Sequence, residues 1–136
     1  MKAHVMAVRG IRGAITAAAN EKGAIVDATS RLLREILARN DVAVVDIAAV
    51  FFTTTPDLTA EFPAAAARQL GWTQVPLLCG HEMSVSDRLD KCVRVMMLVN
   101  TDSDQAGVRH VYMDGAQSLR PDLHAGSAAK ESTTER

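Results

Sequence analysis

The chain has 136 residues, of which 48% are apolar and 23% are charged, and its formal net charge is −1. This length and composition are typical of one globular domain, and the near-zero charge argues against a nucleic acid or an anionic lipid surface as partner. No apolar run reaches the roughly 20 residues of a membrane-spanning helix, and no secretory signal is recognisable, so we expect a cytoplasmic protein. Its two cysteines, Cys79 and Cys92, are expected to be reduced and mostly buried.

The hydrophobic pattern predicts five strands and two helices. Strands are expected where β-branched, aromatic or long apolar side chains run between turn signals, at residues 4–15 (ending near Gly10 and Gly13), 46–55, 75–79, 92–100 and 108–113. Helices are expected at residues 24–40, where apolar residues recur on one face, and at 57–72, which are rich in alanine. Residues 84–91 should form a turn or a short helix. The domain is expected to span residues 1–123, and residues 124–136, which have almost no large apolar side chains, should form a mobile tail.

This order of elements predicts an α+β fold with a mixed sheet and the helices on one face. The long strand "CVRVMMLV" is apolar on both of its alternating faces. One face carries Val93, Val95, Met97 and Val99, and the other carries Cys92, Arg94, Met96 and Leu98. Because two helices can cover only one side of the sheet, the other side should be buried against further subunits. We therefore expect an oligomer.

The familiar catalytic signatures are absent from the sequence. The pair His81-Glu82 is not followed by a second histidine, because position 85 is valine, so the zinc-protease spacing fails. The segment "RGIRGA" lacks the third glycine of a dinucleotide fingerprint, and no GxSxG elbow is present. The four histidines have no metal-ligand spacing. These observations predict neither a metal site nor a nucleotide site.

Arginine, instead, stands where an exposed arginine is not expected. Arg94 interrupts an apolar strand, Arg12 lies at the end of the first strand, and Arg120 precedes a proline, while Glu82 and Tyr112 follow or end other strands. Each of these residues also has a purely structural interpretation. Arg94 could form an ion pair with Glu82, Glu82 could cap a turn, and Tyr112 could be an amphipathic core residue. Arg12 and Arg120 could be solvated at the ends of their elements. If the three arginines converge, their charge exceeds that of one carboxylate. The pocket would then suit a small molecule with one or two carboxylates.

Five segments that hold these residues resemble the monofunctional chorismate mutases of the Bacillus type. They are "VRGIRGAITA", "TTTPDLTAEFPAAAARQLGW", "VPLLCGHEM", "KCVRVMMLVNTD" and "VRHVYMDGAQSLRPDL", and together they run from about Val8 to Leu123. The resemblance implies an α+β homotrimer with a barrel-like core and active sites in clefts between subunits. It also implies the Claisen rearrangement of chorismate to prephenate, on the route to phenylalanine and tyrosine, without a cofactor or metal.

The same resemblance implies a role for each residue of the site. Arg94 would reach the ether oxygen and a carboxylate of the substrate, and Arg12 would bind a carboxylate. Glu82 would accept a hydrogen bond from the ring hydroxyl, with Cys79 close to the same end. Tyr112 would hydrogen-bond the carboxylate of the enolpyruvyl side chain.

Other residues would form the periphery of the site. Phe62, Leu77 and Leu78 would supply an apolar wall from the neighbouring subunit, and Arg68 and Arg120 would lie near the cleft mouth. The chain departs from the family at Ala65, where a lysine is usual, and at Leu78, where a threonine is usual. We expect these departures to raise KM more than they lower kcat. Two alternatives stay open: a trimeric enamine/imine deaminase-like enzyme, and a non-catalytic binder of a carboxylate metabolite.

Overall fold

The computed structural model of the chain describes residues 6–120, and the predicted C-terminal tail lies outside that range. The strands are β1 (Ala7–Thr16), β2 (Ile47–Thr54), β3 (Leu77–His81), β4 (Cys92–Thr101) and β5 (Val111–Tyr112). The α-helices are α1 (Lys22–Asn40) and α2 (Ala64–Gln69), and short 3-10 helices lie at Val44–Asp46, Gln105–Gly107 and Asp114–Leu119. Within the described residues, the predicted elements therefore occur in the predicted order, and residues 84–91 contain turns and no helix.

The strands form one mixed sheet in the order β3-β2-β4-β1-β5. The central strand β4 is antiparallel to both β1 and β2, whereas β3 and β5 run parallel to β2 and β1 at the two edges. Strand β4 thus has a neighbour on either side. A side chain at its middle can reach residues from several strands of the same face.

Both helices pack on one face of this sheet. The α1 residues that pack on it are fully buried and comprise Ile25, Leu32, Leu33 and Ile36. They share a core with Ile11, Ile15, Phe52, Val93, Val95, Met97 and Val99 of the sheet and with Ala64, Ala66 and Ala67 of α2. Burying each large aliphatic side chain stabilises the fold by about 1.5–3 kcal/mol. The predicted α+β class, with a mixed sheet and its helices on one face, is confirmed.

Strand β1 ends at Thr16, one residue beyond the predicted segment 4–15, so Gly10 and Gly13 lie within the strand and do not mark its end. Gly13 lies under helix α1, where an added Cβ would be 2.9 Å from Ile36 Cδ1 and 3.1 Å from the carbonyl oxygen of Val111. Glycine at this position therefore permits close packing of the helix and β5 against the strand and does not terminate it.

Helix α2 is shorter than the 57–72 segment that the sequence predicts. It begins at Ala64, directly after Pro63, since proline disfavours helical backbone in the residue before it. The preceding segment is a loop fixed by Asn20, whose Oδ1 accepts hydrogen bonds from the backbone N–H groups of Thr59 and Ala60 at 2.9 and 3.0 Å. The loop places Phe62 beside β3.

The second face of the sheet carries exposed apolar side chains. Phe51 of β2 is 41% exposed, Met96 of β4 is 37% exposed, and Leu78 of β3 is 63% exposed. Their register places them in one row across the three strands. An exposed apolar row on an ordered sheet is typical of a surface that another protein chain covers.

Candidate active site

Arg94 lies on this second sheet face, in the row next to the apolar one. On β2 its partner in the register is Thr53, and on β1 it is Ala14. Its Nε lies 2.9 Å from Oε2 of Glu82, and the side chains of the two residues are 47% and 22% exposed. Thr53 Oγ1 donates a hydrogen bond of 2.6 Å to the same carboxylate oxygen. An arginine in the middle of an apolar strand is thus accommodated by partial exposure and by an anionic partner.

Glu82 takes its place because it continues strand β3 by one residue beyond the formal end of that strand. Its backbone N–H donates a hydrogen bond of 2.7 Å to the carbonyl oxygen of Thr54, so the β2–β3 pairing extends to it. Side chains alternate along a strand, so Glu82 shares a face with Leu78 and Gly80. The position of the Glu82 carboxylate is therefore fixed by strand β2, through the backbone hydrogen bond to Thr54 and the side-chain hydrogen bond from Thr53.

Tyr112 and Arg94 flank one small residue. Ala14 is paired with Arg94 on β4 and with Tyr112 on β5, so the three lie in one row of the sheet. With strands about 4.8 Å apart, the backbones at Arg94 and Tyr112 are separated by about 10 Å. Ala14 is buried together with Cys92 and Ala116. The row thus has a cation and a phenol on either side of a methyl group.

Arg12 lies two residues before Ala14 and projects from the same face of β1. Its backbone N–H donates a hydrogen bond of 2.9 Å to Nδ1 of His110, where a longer β5 would supply a carbonyl oxygen. The strand predicted at 108–113 is correspondingly shorter, since β5 comprises only Val111–Tyr112. Burial lowers the pKa of His110, and the charges of Arg12 and Arg120 lower it further. Two of the predicted arginines, Arg12 and Arg120, thus lie near His110.

A groove of about 460 Å³ lies on the other side of the edge strand β3. Its lining includes Phe62, Cys79 and His81. Burial raises the pKa of the Cys79 thiol, and the nearby charge of Arg68 opposes part of that shift. Phe62, Cys79 and Arg68 therefore belong to one region, whereas Leu78 projects from the opposite face of β3 by strand alternation.

A single chain thus separates the predicted site residues into two groups. The sheet-face group contains Arg12, Glu82, Arg94, Tyr112 and, through His110, Arg120. The groove group contains Phe62, Arg68 and Cys79. The sequence analysis did not identify Thr53 or His110 as site residues. The "TTT" run at residues 53–55 is a signal for Thr53, because this run lies at the end of β2 and Thr53 pairs with Arg94.

Neither cysteine of the described residues forms a disulfide. Both are free, as predicted, and burial raises the pKa of the Cys92 thiol to about 11. Among residues 6–120, no three histidine, cysteine, aspartate or glutamate side chains are grouped in a way that could hold a metal ion. None of the helices in this range is long and apolar enough to cross a membrane.

Comparisons with known proteins agree with the resemblance in the sequence. A family profile described as chorismate mutase type I matches residues 8–123. Chorismate mutase AroH of Bacillus subtilis (strain 168) is 45% identical over 119 residues, which cover 87% of this chain and 94% of that protein.

Chorismate mutase AroH of Thermus thermophilus is 50% identical over 119 residues, covering 87% of this chain and 98% of that protein. The structure of a chorismate mutase from Clostridium thermocellum superposes with a TM-score of 0.80 at 47% identity, covering 81% of this chain and 98% of that one. These matches favour the mutase over the deaminase-like alternative. The chain belongs to the type I chorismate mutase family.

Proposed function

We propose that this chain catalyses the Claisen rearrangement of chorismate to prephenate, in the cytoplasm, on the route to phenylalanine and tyrosine. Family membership supports the activity. The observation that carries the mechanism is the half-exposed Arg94, held against Glu82 on the second face of the sheet. The rearrangement breaks a C–O bond and forms a C–C bond within one molecule. It requires no proton transfer and no nucleophile, so a site of arginines, a carboxylate and a phenol suits it.

Arg94 would act on the bond that breaks. As the ether C–O bond stretches, its oxygen gains negative charge, and a fixed cation beside it lowers the barrier. A guanidinium has a planar fork of donors, so it can contact the ether oxygen and a carboxylate together. By comparison with oxyanion-hole donors, this contact is worth about 3–4 kcal/mol of barrier.

Arg12, Tyr112 and Glu82 would select the reactive conformer. Chorismate is a flexible dianion that reacts only when its two ends fold over each other, and holding that conformer removes an entropic part of the barrier. Arg12 and Tyr112 would bind carboxylates. Glu82 would accept a hydrogen bond from the ring hydroxyl. The backbone at Arg12 lies about 7 Å along β1 from the row of Arg94 and Tyr112, a spacing that suits a compact substrate.

A homotrimer with a barrel-like core would complete the site. Phe51, Leu78 and Met96 form an exposed apolar row, and covering this row with another chain would remove apolar surface from water. Covering it with a neighbouring chain would bring the groove residues Phe62 and Cys79 of one subunit towards the sheet-face group of the next. The separation of the two groups in one chain supports this arrangement.

The remaining residues of the site would act at its edge. Arg68, at the end of α2, and Arg120, after the last 3-10 helix, would attract the dianion through their charge. Leu78 would contribute apolar wall. Ala65, in α2, offers no charge where the family usually has a lysine. We expect this difference to appear in KM.

The test is the ultraviolet absorbance of chorismate after addition of the purified protein, with the product identified as prephenate. The reaction is run with and without a chelator, and light scattering after size exclusion measures the assembly. A fast loss of chorismate by a trimer in both conditions is the expected result. Persistence of chorismate in the presence of a folded trimer would refute the proposed activity, and a fully active monomer would refute the shared site.

A further inference from the structure

Thr53 lies at the centre of the sheet-face group, although it has no part in the roles assigned so far. On strand β2 it is paired with Arg94 of β4 on one side and with Gly80 of β3 on the other. It is partly buried, and it projects from the same face as Arg94. It therefore stands between the proposed catalytic cation and the strand that carries Glu82.

The hydroxyl of Thr53 and the guanidinium of Arg94 hold the same atom. Thr53 Oγ1 donates to Oε2 of Glu82 at 2.6 Å, and Arg94 Nε lies 2.9 Å from that oxygen. The backbone of Glu82 is bound independently to the carbonyl oxygen of Thr54. Within residues 6–120, both side-chain contacts of the carboxylate use Oε2, so Oε1 stays available to a ligand.

We propose that Thr53 is a positioning residue for the rearrangement, acting through Glu82. This inference rests on the proposed function. When the guanidinium of Arg94 also contacts the ether oxygen of the substrate, its charge is shared between Glu82 and the ligand. The Thr53 hydroxyl keeps the carboxylate in place, with Oε1 directed to the ring hydroxyl of the substrate.

The residue type suits this role. Threonine is branched at Cβ, so it is stiff about χ1 and presents its hydroxyl in one direction. A hydroxyl bound to a carboxylate is a short and strong hydrogen bond because the acceptor is charged. The neighbouring Gly80 adds no side chain, and a Cβ built there would have no atom within 4 Å. Space beside the Thr53–Glu82 contact is therefore open within the chain.

The experiment compares Thr53→Val, Thr53→Ala and Thr53→Ser in the assay of chorismate turnover. Valine keeps the shape and the strand preference of threonine but removes the donor, and alanine removes the donor with less bulk. We expect both to lower kcat/KM by about 10- to 100-fold, as for loss of a hydrogen bond to a charged group. Serine keeps the hydroxyl and should retain activity within a few-fold of the unsubstituted protein.

Thr101→Val is the matched control. Thr101 ends β4, and its hydroxyl accepts a hydrogen bond of 3.1 Å from the backbone N–H of Ser103 in the following turn. We expect this variant to keep full activity. Thermal unfolding of each variant is followed by circular dichroism, so that activities are compared at a temperature where all variants are equally folded.

A double-mutant cycle distinguishes positioning from a general structural effect. If Thr53 acts through Glu82, then Thr53→Val should cost almost nothing in a Glu82→Ala background. An undiminished cost in that background, or a Ser variant as damaged as the Val variant, would overturn the inference. So would a Val variant as active as the Thr101 control. In each of these results the unsubstituted protein still converts chorismate, whereas failure of the unsubstituted protein itself would refute the proposed function.

Discussion

Replacing Arg94 with lysine separates the charge of the proposed catalytic residue from its geometry. The change should leave the fold intact, because the Arg94–Glu82 pair is half exposed on the arginine side. Exposed ion pairs contribute only about 0.2–1 kcal/mol to the free energy of unfolding. The substitution also keeps a cation on the strand. A shift of that size in stability cannot account for a large loss of activity.

The expected effect on catalysis is much larger. Nε of Arg94 lies 2.9 Å from Oε2 of Glu82, so contacts with the substrate would be made by the rest of the guanidinium fork. A lysine ammonium is a compact point charge without a planar fork of donors. It cannot maintain the ion pair with Glu82 while it contacts both the ether oxygen and a carboxylate of the substrate. Losing a contact worth about 3–4 kcal/mol in the transition state corresponds to a fall in kcat of roughly 10²- to 10³-fold.

The assay follows chorismate absorbance over a range of substrate concentrations, so that kcat and KM are obtained separately. Arg39→Lys is the matched control, because Arg39 is 50% exposed and lies 2.8 Å from Glu35 on helix α1, far from the sheet face. We expect the control to be fully active. An Arg94→Lys protein that is folded and retains its kcat would remove Arg94 from the mechanism.

Further predictions concern the carboxylate, the packing and the pH dependence. Glu82→Gln keeps one acceptor oxygen and should cost less kcat/KM than Arg94→Ala; equal losses would indicate a structural pair. Gly13→Ala should lower the free energy of unfolding in urea by about 1–3 kcal/mol through overpacking against α1, whereas Gly23→Ala, with open space around it, should not destabilise. Because the pKa of His110 is lowered below 6.5 in the folded chain, the unfolded chain binds a proton first as pH falls. The free energy of unfolding should therefore decrease from about pH 7 to pH 5, and His110→Asn should reduce that slope; an unchanged slope would contradict the assignment.

The strongest periodic segments of the sequence predict the fold well. The "CVRVMMLVN" run is the central strand β4, and its two faces divide as alternation requires, with Val93, Val95 and Met97 buried and Arg94 and Met96 exposed. Helix α1 follows from its apolar stripe in the same way. The errors occur where a tertiary contact overrides a local signal. A glycine that reads as a strand end is instead a packing site under α1.

The site was predictable only as far as residue type and strand face allow. Alternation sets Arg94 apart from its apolar neighbours, and its pairing with Glu82 was one of the alternatives that the sequence leaves open. The register between β2 and β4 does not follow from the sequence alone, so Thr53 was not identified as the partner of Arg94. His110 was missed for a similar reason, because its ring nitrogen replaces a backbone carbonyl that the local pattern had assigned to a longer strand.

The separation of the site residues within one chain has a physical cause. Alternation along the short edge strand β3 directs Leu78 to the Arg94 face and Cys79 to the helix face, so the two cannot line one pocket of a single chain unless that pocket passes around the strand edge. An edge strand with an exposed apolar residue is also a surface that proteins usually cover. A neighbouring subunit placed against this edge would satisfy both conditions at once. In the proposed trimer, assembly and catalysis would both depend on strand β3, and we expect a variant that does not assemble to be inactive.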